Sequence, residues 1–420
     1  MISQGSKVNK KISKRSIVGV VCLSLILLWI TFPIMRGIAD SGTAKIGFAF
    51  LMLFSIVLLK KRWLVNSMQF TFIAAFTVFI FIYLVDFLLR RGDMTIFDFV
   101  NYFVLFFCIA ASVLIAEHEN DKMERFLLGL FFLLCIISLI TTIFGLITDA
   151  SAIRLLTSSS TSEAVEEQLR SKNIGGYDFL YSLLILIPVL IQVVKCTKSW
   201  TFKIAGIVWI SLILICIILA NFTIAYLFIG MIVIFSLFPS KMSTVKKVMI
   251  SIIAFGVLFL LLKGFIIMYL QFIGNHTESI MTQGRMKQME AFLTGQISIF
   301  EMNDRFVLAM NSMSTFWESP FFGGGAYFRH YELVSGHSTW IDELARNGII
   351  GYIPFIVMMV SGVRNVIICK STIEKNTILI VFVFYIVLGL VNNVFGYMIS
   401  LVVFIITPML VRQGLASRPL

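Results

Sequence analysis

The chain has 420 residues, of which 59% are hydrophobic and 13% charged, and its formal net charge is +12. A soluble protein of this length carries about twice that charged fraction, so the composition excludes an ordinary soluble domain. The basic residues concentrate beside alternate apolar segments, which indicates membrane topology and gives no sign of nucleic-acid binding.

Apolar runs of about 18–23 residues, long enough to cross a hydrocarbon core of ~30 Å, recur along the chain. The first run follows a basic head at 7–15 and is predicted to be a retained helix, because no small-x-small cleavage site follows it. The pattern predicts an all-α polytopic membrane protein with about 12 transmembrane helices. The predicted spans are 16–35, 44–59, 67–89, 95–116, 126–148, 176–194, 201–220, 222–239, 247–269, 349–367, 377–392 and 394–411.

The distribution of charge predicts the orientation. With both termini inside, the inner segments hold 21 of the 34 basic residues and only five of the 22 acidic ones, as the positive-inside rule requires. The predicted organisation is 1–269, with helices one to nine and an outer loop at 149–175; a large outer loop at 270–348; and 349–420, with helices ten to twelve. The inner connectors are too short for a nucleotide-binding domain and hold no Walker-type loop, which excludes ATP-driven transport within this chain.

The large outer loop concentrates polar residues beside the membrane, so function is expected there. Helical spacing of apolar residues predicts two short amphipathic helices, at 283–300 and 304–317, with apolar faces against lipid or protein. Three glycines follow Pro320 and permit positive φ angles and close backbone approach, although a plain flexible turn is the simpler explanation.

The end of this loop predicts a short helix that stops at Gly348, with Thr339 and Asp342 as a capping box. His337 precedes its start. A helix N-terminus suits a phosphate and disfavours an imidazolium, so His337 is predicted to be neutral and able to accept a proton. Arg346 is predicted to pair with Asp342 at i,i+4.

This part of the loop resembles the O-antigen polymerase/ligase family. Arg305 stands fifteen positions before Pro320, which opens the sequence Pro-Phe-Phe-Gly-Gly-Gly, and His337-Ser338 and Gly348-Ile-Ile-Gly follow. The family pattern is an Arg, a Pro-x-x-Gly-x-Gly at this distance, and a His-Asn or His-Ser before the next helix. Outside this segment the resemblance is one of topology.

The resemblance implies a metal-independent, GT-C-like glycosyltransferase without a cofactor, at the outer face of a bacterial cytoplasmic (inner) membrane. Its substrates would be polyprenyl-diphosphate-linked oligosaccharides. We favour a polymerase of repeat units for a surface polysaccharide, O-antigen or capsule/exopolysaccharide. The alternatives are an O-antigen ligase and, from another class, a polysaccharide flippase or secondary transporter. The expected partners are the bilayer, a chain-length regulator and a flippase of the same pathway, and no nucleic acid.

By the motif match, Arg305 would hold the diphosphate and His337 would assist the acceptor hydroxyl. Family members often carry a further Arg at the outer start of a middle helix, and 220–225 has none. Arg285 is the nearest replacement, although it could simply snorkel beside Lys287. The other predicted substrate-binding residues are Tyr327, Arg329 and His330, which loop packing explains equally well, and Asp178, which could face the same cavity from the outer end of the sixth span. No metal site is predicted.

Overall fold

The structure is a computed structural model that describes residues 14–38, 41–59, 67–89, 99–118, 121–149, 151–156, 163–238, 242–276, 280–298, 304–324, 334–367 and 371–415. Within these ranges every regular element is a helix. The helices, numbered in chain order, are α1 (Lys14–Thr31), α2 (Pro33–Ile38), α3 (Gly42–Leu59), α4 (Ser67–Leu88), α5 (Phe99–His118), α6 (Asp121–Thr148), α7 (Ala152–Leu155), α8 (Glu163–Ser171), α9 (Tyr177–Cys196), α10 (Trp200–Ala220), α11 (Thr223–Leu237), α12 (Thr244–His276), α13 (Ile280–Thr294), α14 (Asp304–Glu318), α15 (Thr339–Ile367), α16 (Thr372–Val391), α17 (Tyr397–Leu401) and α18 (Thr407–Leu415). A π-helical stretch, Val402–Ile406, joins α17 to α18.

In the part of the chain that the structure describes, nine segments are helical, long and apolar enough to cross a membrane. They coincide with nine of the predicted spans. Shorter apolar helices in α1, α5 and α11 coincide with the other three. The chain is therefore an all-helical, multi-pass membrane protein, while twelve crossings and the side of each terminus stay predictions.

The bundle is built around α9 and the α17–α18 rod. In both, more than 70% of the apolar membrane-spanning stretch is buried inside the protein. The opposite extreme is α12, in which only 6% of that stretch is buried. Large apolar side chains on the outer helices are exposed, such as Leu261 at 74% and Phe81 at 66%, as expected of surfaces that face lipid tails.

Polar contacts concentrate at the two ends of the bundle. At the end predicted to face inward, Arg412 of α18 pairs with the buried carboxylate of Glu124 in α6. Arg125 and Asp121, close to this pair, both contact Gln413. The opposite end carries the starts of α5, α9, α15 and α17, and the candidate site lies there.

The first amphipathic helix packs on protein. Its predicted range was 283–300, whereas α13 ends at Thr294, because the next residue, Gly295, has φ +78° and terminates it. Met286 and Leu293 of α13 are buried against Leu270 of α12. This contact extends α12 seven residues beyond the predicted end of its span.

The second amphipathic helix, α14, matches its predicted range to within one residue. Of the apolar residues predicted to face lipid or protein, Phe316 is buried against protein, whereas Met310 is 54% exposed and Trp317 69% exposed. Ser312 is also fully buried. The reason is that α14 packs on α15, which offers Ser312 a hydrogen-bonding partner.

Candidate functional site

A buried carboxylate holds the turn that carries His337. Asp342 is 3% exposed and accepts hydrogen bonds from the hydroxyls of Ser312 (2.7 Å) and Ser335 (2.7 Å) and from the backbone N–H of Ser338 (3.1 Å). The N–H of His337 in turn donates to the Ser335 hydroxyl (3.1 Å). One side chain therefore joins α14, the His337 turn and α15.

The predicted capping box between Thr339 and Asp342 is wrong, because each of these side chains bonds to a different partner. Thr339 is the first residue of α15, and its hydroxyl donates to the carbonyl of Asn392 (3.2 Å) and accepts from the N–H of Val394 (2.8 Å). Asp342 caps the N–H of Ser338 instead. The Thr339 hydroxyl bonds to a loop that is distant in sequence. Such a contact cannot be predicted from the sequence of α15 alone.

The glycine-rich segment is a strap, residues 320–324, that docks into a break in α15. At Gly348 the helix has φ +57° and ψ −172°, so the predicted stop is confirmed as a kink, after which α15 continues. The N–H of Ile349, left without an intrahelical carbonyl, donates to Pro320 of the strap (2.9 Å). A Cβ on Gly323 or on Gly348 would lie 2.5 Å or less from backbone atoms of the other segment. Close approach, and not mere flexibility, requires these two glycines.

A second buried hydrogen-bond network is centred on Glu343, the residue after Asp342 in α15. The carboxylate of Glu343 accepts from the hydroxyl of Tyr102 (2.9 and 3.0 Å), from Nη1 of Arg346 (3.0 Å) and from Nδ2 of Asn347 (2.9 Å). Arg346 therefore pairs with Glu343, and its predicted pairing with Asp342 is wrong. Neighbouring residues on a helix face different sides. The Asp342 side faces the His337 turn, whereas Glu343 faces α5.

The loop between α16 and α17 joins this region to a cavity. Its Asn392 accepts from Thr339, and three residues later the ring of Phe395 packs against Tyr102. Phe395, Gly396 and Tyr397 line one side of the cavity. This loop thus contacts the start of α15 and also lines the cavity, at the same end of the bundle.

Asp178, predicted to bind substrate, lies at the start of α9 and lines an adjoining cavity, which shares Arg36 and Arg170 with the first. Its carboxylate accepts from Nη1 of Arg36 (3.0 Å) and from the N–H groups of Met398 (3.1 Å) and Ile399 (3.1 Å) in the first turn of α17. A carboxylate at a helix N-terminus is stabilised by the helix dipole. A Cβ on Gly396 would lie 1.8 Å from Oδ1, so only glycine fits beside the carboxylate. Asp178 orients Arg36 and anchors α17.

Arg170 approaches the same cavity from α8. Asn173, in the left-handed conformation (φ 59°), donates to the hydroxyl of Ser138 in α6 (3.1 Å) and fixes the end of α8. A Cβ on Gly37 would lie 3.3 Å from Cβ of Arg170, so α2 packs closely on α8. Arg170 pairs with Glu166 one turn earlier on α8. The loop at 149–175 therefore contributes a cation to the end of the bundle.

The remaining predicted site residues are placed in part. The backbones of Arg285 and Arg305 lie in α13 and α14, and their side chains are outside the described residues. Tyr327, Arg329 and His330 are wholly outside them. Arg305 precedes Ser312 by seven residues, or about 10 Å along a helix axis, so the helix that carries it is bonded to the His337 turn.

Residues that the sequence reasoning missed hold the site together. Ser312 and Ser335 were not singled out, and Asp342 was considered only as a cap and as a partner of Arg346. Arg36 and Arg170 were not considered as site residues. Arg36 directly follows the first predicted span, and Arg170 lies in the predicted outer loop at 149–175. An arginine beside apolar membrane sequence often marks a functional site.

Among the described residues there is no cluster of three or more His, Cys, Asp or Glu side chains that could hold a metal ion. The arrangement offers hydrogen-bond donors, guanidinium groups and one histidine at one end of an apolar bundle. The sequence matches no protein-family model, and no curated protein sequence matches it at a significant level.

Proposed function

We propose that this protein is a metal-independent glycosyltransferase that polymerises polyprenyl-diphosphate-linked oligosaccharide repeat units at the outer face of a bacterial cytoplasmic membrane. The supporting observation is the bonding of Ser312 and the His337 turn to one carboxylate, Asp342. It joins the helix that carries Arg305 to the turn that carries His337, and these two are the residues that the family resemblance assigns to the reaction. Both adjoin long apolar helices, beside which a polyprenyl chain could lie.

The chemistry needs positioning and charge stabilisation. The acceptor hydroxyl attacks the anomeric carbon of the donor glycan, and the bond from that carbon to the diphosphate oxygen breaks. The polyprenyl diphosphate leaves with the bonding electrons, and its developing charge is offset by Arg305. His337, as a neutral imidazole, takes the proton of the attacking hydroxyl.

Arg305→Lys tests the role of the guanidinium. A guanidinium presents a planar fork that can bridge two phosphate oxygens, whereas an ammonium is a point charge. We expect normal expression and almost no polymer, with single repeat units left on the lipid carrier. The matched control is Lys287→Arg, one helix away. Near-normal polymer from Arg305→Lys would remove Arg305 from the site.

His337→Ala and His337→Gln separate chemistry from bracing. A general base contributes about 10²–10⁴-fold in rate, so both variants should lose that factor in a purified polymerisation assay. The amide of Gln hydrogen-bonds but is not basic. If Gln recovers activity to within a few-fold of wild type, His337 only braces the turn.

A ligase and a transporter stay as alternatives. A ligase would move the glycan to a lipid A core, and a transporter would move lipid-linked sugar without forming a glycosidic bond. Purified protein with only a lipid-linked repeat unit distinguishes them, because only the polymerase lengthens that substrate. Labelling of cysteines placed at Ser3 and Ser279 with an impermeant reagent tests the sidedness, and we expect only the second to react in spheroplasts.

A further inference from the structure

Lys247, at the start of α12, is a buried cation without an anionic partner. Its side chain is 3% exposed, and its ammonium lies 5.4 Å from the centroid of the Phe235 ring. In the part of the chain that the structure describes, no carboxylate pairs with this ammonium and no carbonyl accepts from it. A lysine near a membrane boundary usually extends its ammonium to the polar interface. Burial of the unpaired charge is costly unless an anion compensates it.

A second lysine adds positive charge beside the first. Lys195, in the last turn of α9, donates to the carbonyl of Ser236 at the end of α11. Its charge is close enough to repel that of Lys247, and among the described residues it too lacks an acidic partner. The N-terminus of α12 contributes the positive end of a helix dipole. Three sources of positive potential therefore lie together, and no described carboxylate offsets them.

The two lysines line a groove between α9, α11, α12 and α16, which we call the lysine groove. It lies at the end of the bundle predicted to face inward, because Lys195 is at the opposite end of α9 from Asp178. Apart from Gln192 and Ser236, its other lining residues are apolar. The enclosed space is about 20 Å³, which is room for one water-sized group, such as one phosphate oxygen.

We propose that the lysine groove binds the phosphate of an anionic phospholipid. Phosphate oxygens accept strong, charge-assisted hydrogen bonds from ammonium groups, and basic pockets between transmembrane helices on the cytoplasmic side suit anionic headgroups.

The apolar walls favour a lipid over a free phosphate ion. Val233, next to the groove residue Ile232, and Ile250, one turn beyond Lys247, are both exposed apolar side chains. Acyl chains can lie along such a surface, whereas a free ion gains nothing from it. The His337 turn is at the other end of the bundle, so this site goes beyond the proposed reaction.

The first test measures lipid binding to the purified full-length protein by native mass spectrometry. The probes are phosphatidylglycerol and phosphatidylcholine with the same acyl chains, and inorganic phosphate is the competitor. The variants are Lys247→Gln, Lys195→Gln and Lys247→Arg, of which the last keeps the charge. The matched control is Lys246→Gln, because Lys246 is the preceding residue of α12 and is exposed.

We expect phosphatidylglycerol to bind at least about fivefold more tightly than phosphatidylcholine, the usual effect of one basic residue on an anionic headgroup. Lys247→Gln and Lys195→Gln should each remove most of this preference. Lys247→Arg and Lys246→Gln should stay close to wild type. Inorganic phosphate at the concentration of the lipid should not displace it.

A second test separates lipid binding from packing by thermal unfolding of Lys247→Met in nanodiscs. In phosphatidylcholine the variant should unfold at the same temperature as wild type or higher, because it buries no unpaired ammonium. Phosphatidylglycerol should raise the unfolding temperature of wild type but not of the variant, because a ligand stabilises only the protein that binds it. A lysine needed only for packing would make the variant less stable in both membranes.

The proposal is overturned if the two lipids bind equally, or if Lys247→Gln and Lys195→Gln bind phosphatidylglycerol like wild type. It is also overturned if Lys246→Gln loses as much as Lys247→Gln, since the charge would then act only as a diffuse surface. Displacement by equimolar inorganic phosphate, or lower stability of Lys247→Met in both membranes, has the same consequence. Because the His337 turn is distant from the lysine groove, failure of this proposal leaves the proposed reaction untouched, and the reverse holds too.

Discussion

Asp342→Ala should release the turn that carries His337. The substitution leaves three buried donors without their acceptor, two serine hydroxyls and the N–H of Ser338. An unsatisfied buried donor costs about 1–3 kcal/mol. Because hydroxyls can rotate and neighbouring effects are not additive, we expect a loss of about 3–5 kcal/mol in place of the full sum.

This loss should appear first as local opening, because the three bonds join the turn to α14 and do not hold the centre of the bundle. Each 1.4 kcal/mol is a factor of ten, so amide exchange at 334–338, followed by mass spectrometry of the purified protein, should accelerate by a factor of about 10² to 4 × 10³. Asp342→Asn keeps one carbonyl acceptor and should fall between. Asp121→Ala, which removes a carboxylate that is 67% exposed, should cost at most about 1 kcal/mol.

Exchange at 334–338 that stays within a few-fold of wild type in Asp342→Ala would refute this reasoning. It would mean that the strap and the Thr339 contacts hold the turn without the carboxylate. Faster exchange with unchanged polymerisation would leave the structural argument intact and separate it from the catalytic one.

Three further outcomes follow from the contacts. Gly348→Ala should destabilise the protein by more than about 1 kcal/mol in thermal unfolding, because the position has φ +57° and faces the strap backbone. Gly284→Ala, with open space around it, should be neutral or stabilising in the same measurement. Glu343→Gln should cost about 3–5 kcal/mol by leaving Arg346 buried without its counter-charge, and adding Arg346→Met should recover part of that loss. Polymerisation by the purified protein should survive EDTA, and loss of activity with rescue by Mg²⁺ or Mn²⁺ would contradict a metal-independent reaction.

The membrane-spanning helices could be predicted because a helix that crosses a bilayer needs a long apolar run, and such a run is visible in one continuous stretch of sequence. The ends were less predictable. α12 continues to His276 because α13 covers its last turns. The short helix predicted to stop at Gly348 and the tenth predicted span form one kinked helix, α15, because the strap bonds to the backbone at the break. Such stabilisation comes from segments that are distant in sequence, and hydropathy does not detect it.

The features of the site that could be predicted are those whose sequence pattern lies within one short segment of the chain. The break at Gly348 follows from a glycine after a helical run, and the structure has it. The burial of Ser312 could not be predicted, because its partner lies thirty residues away and its own helix offers Met310 as the more apolar choice. Arg36 and Asp178 are 142 residues apart in sequence, and nothing local indicates that pair.

The strap has a consequence for how the chain tolerates change. The Cβ site of Gly323 lies 2.5 Å from the N atom of Gly348, and the Cβ site of Gly348 lies 2.5 Å from the N atom of Gly323. Each glycine therefore occupies the space that a side chain on the other would need. Once either is replaced, the strap has already moved away, and replacing the second costs less than it would alone. We therefore expect Gly323 and Gly348 to covary among homologous sequences, with both glycines present or both replaced.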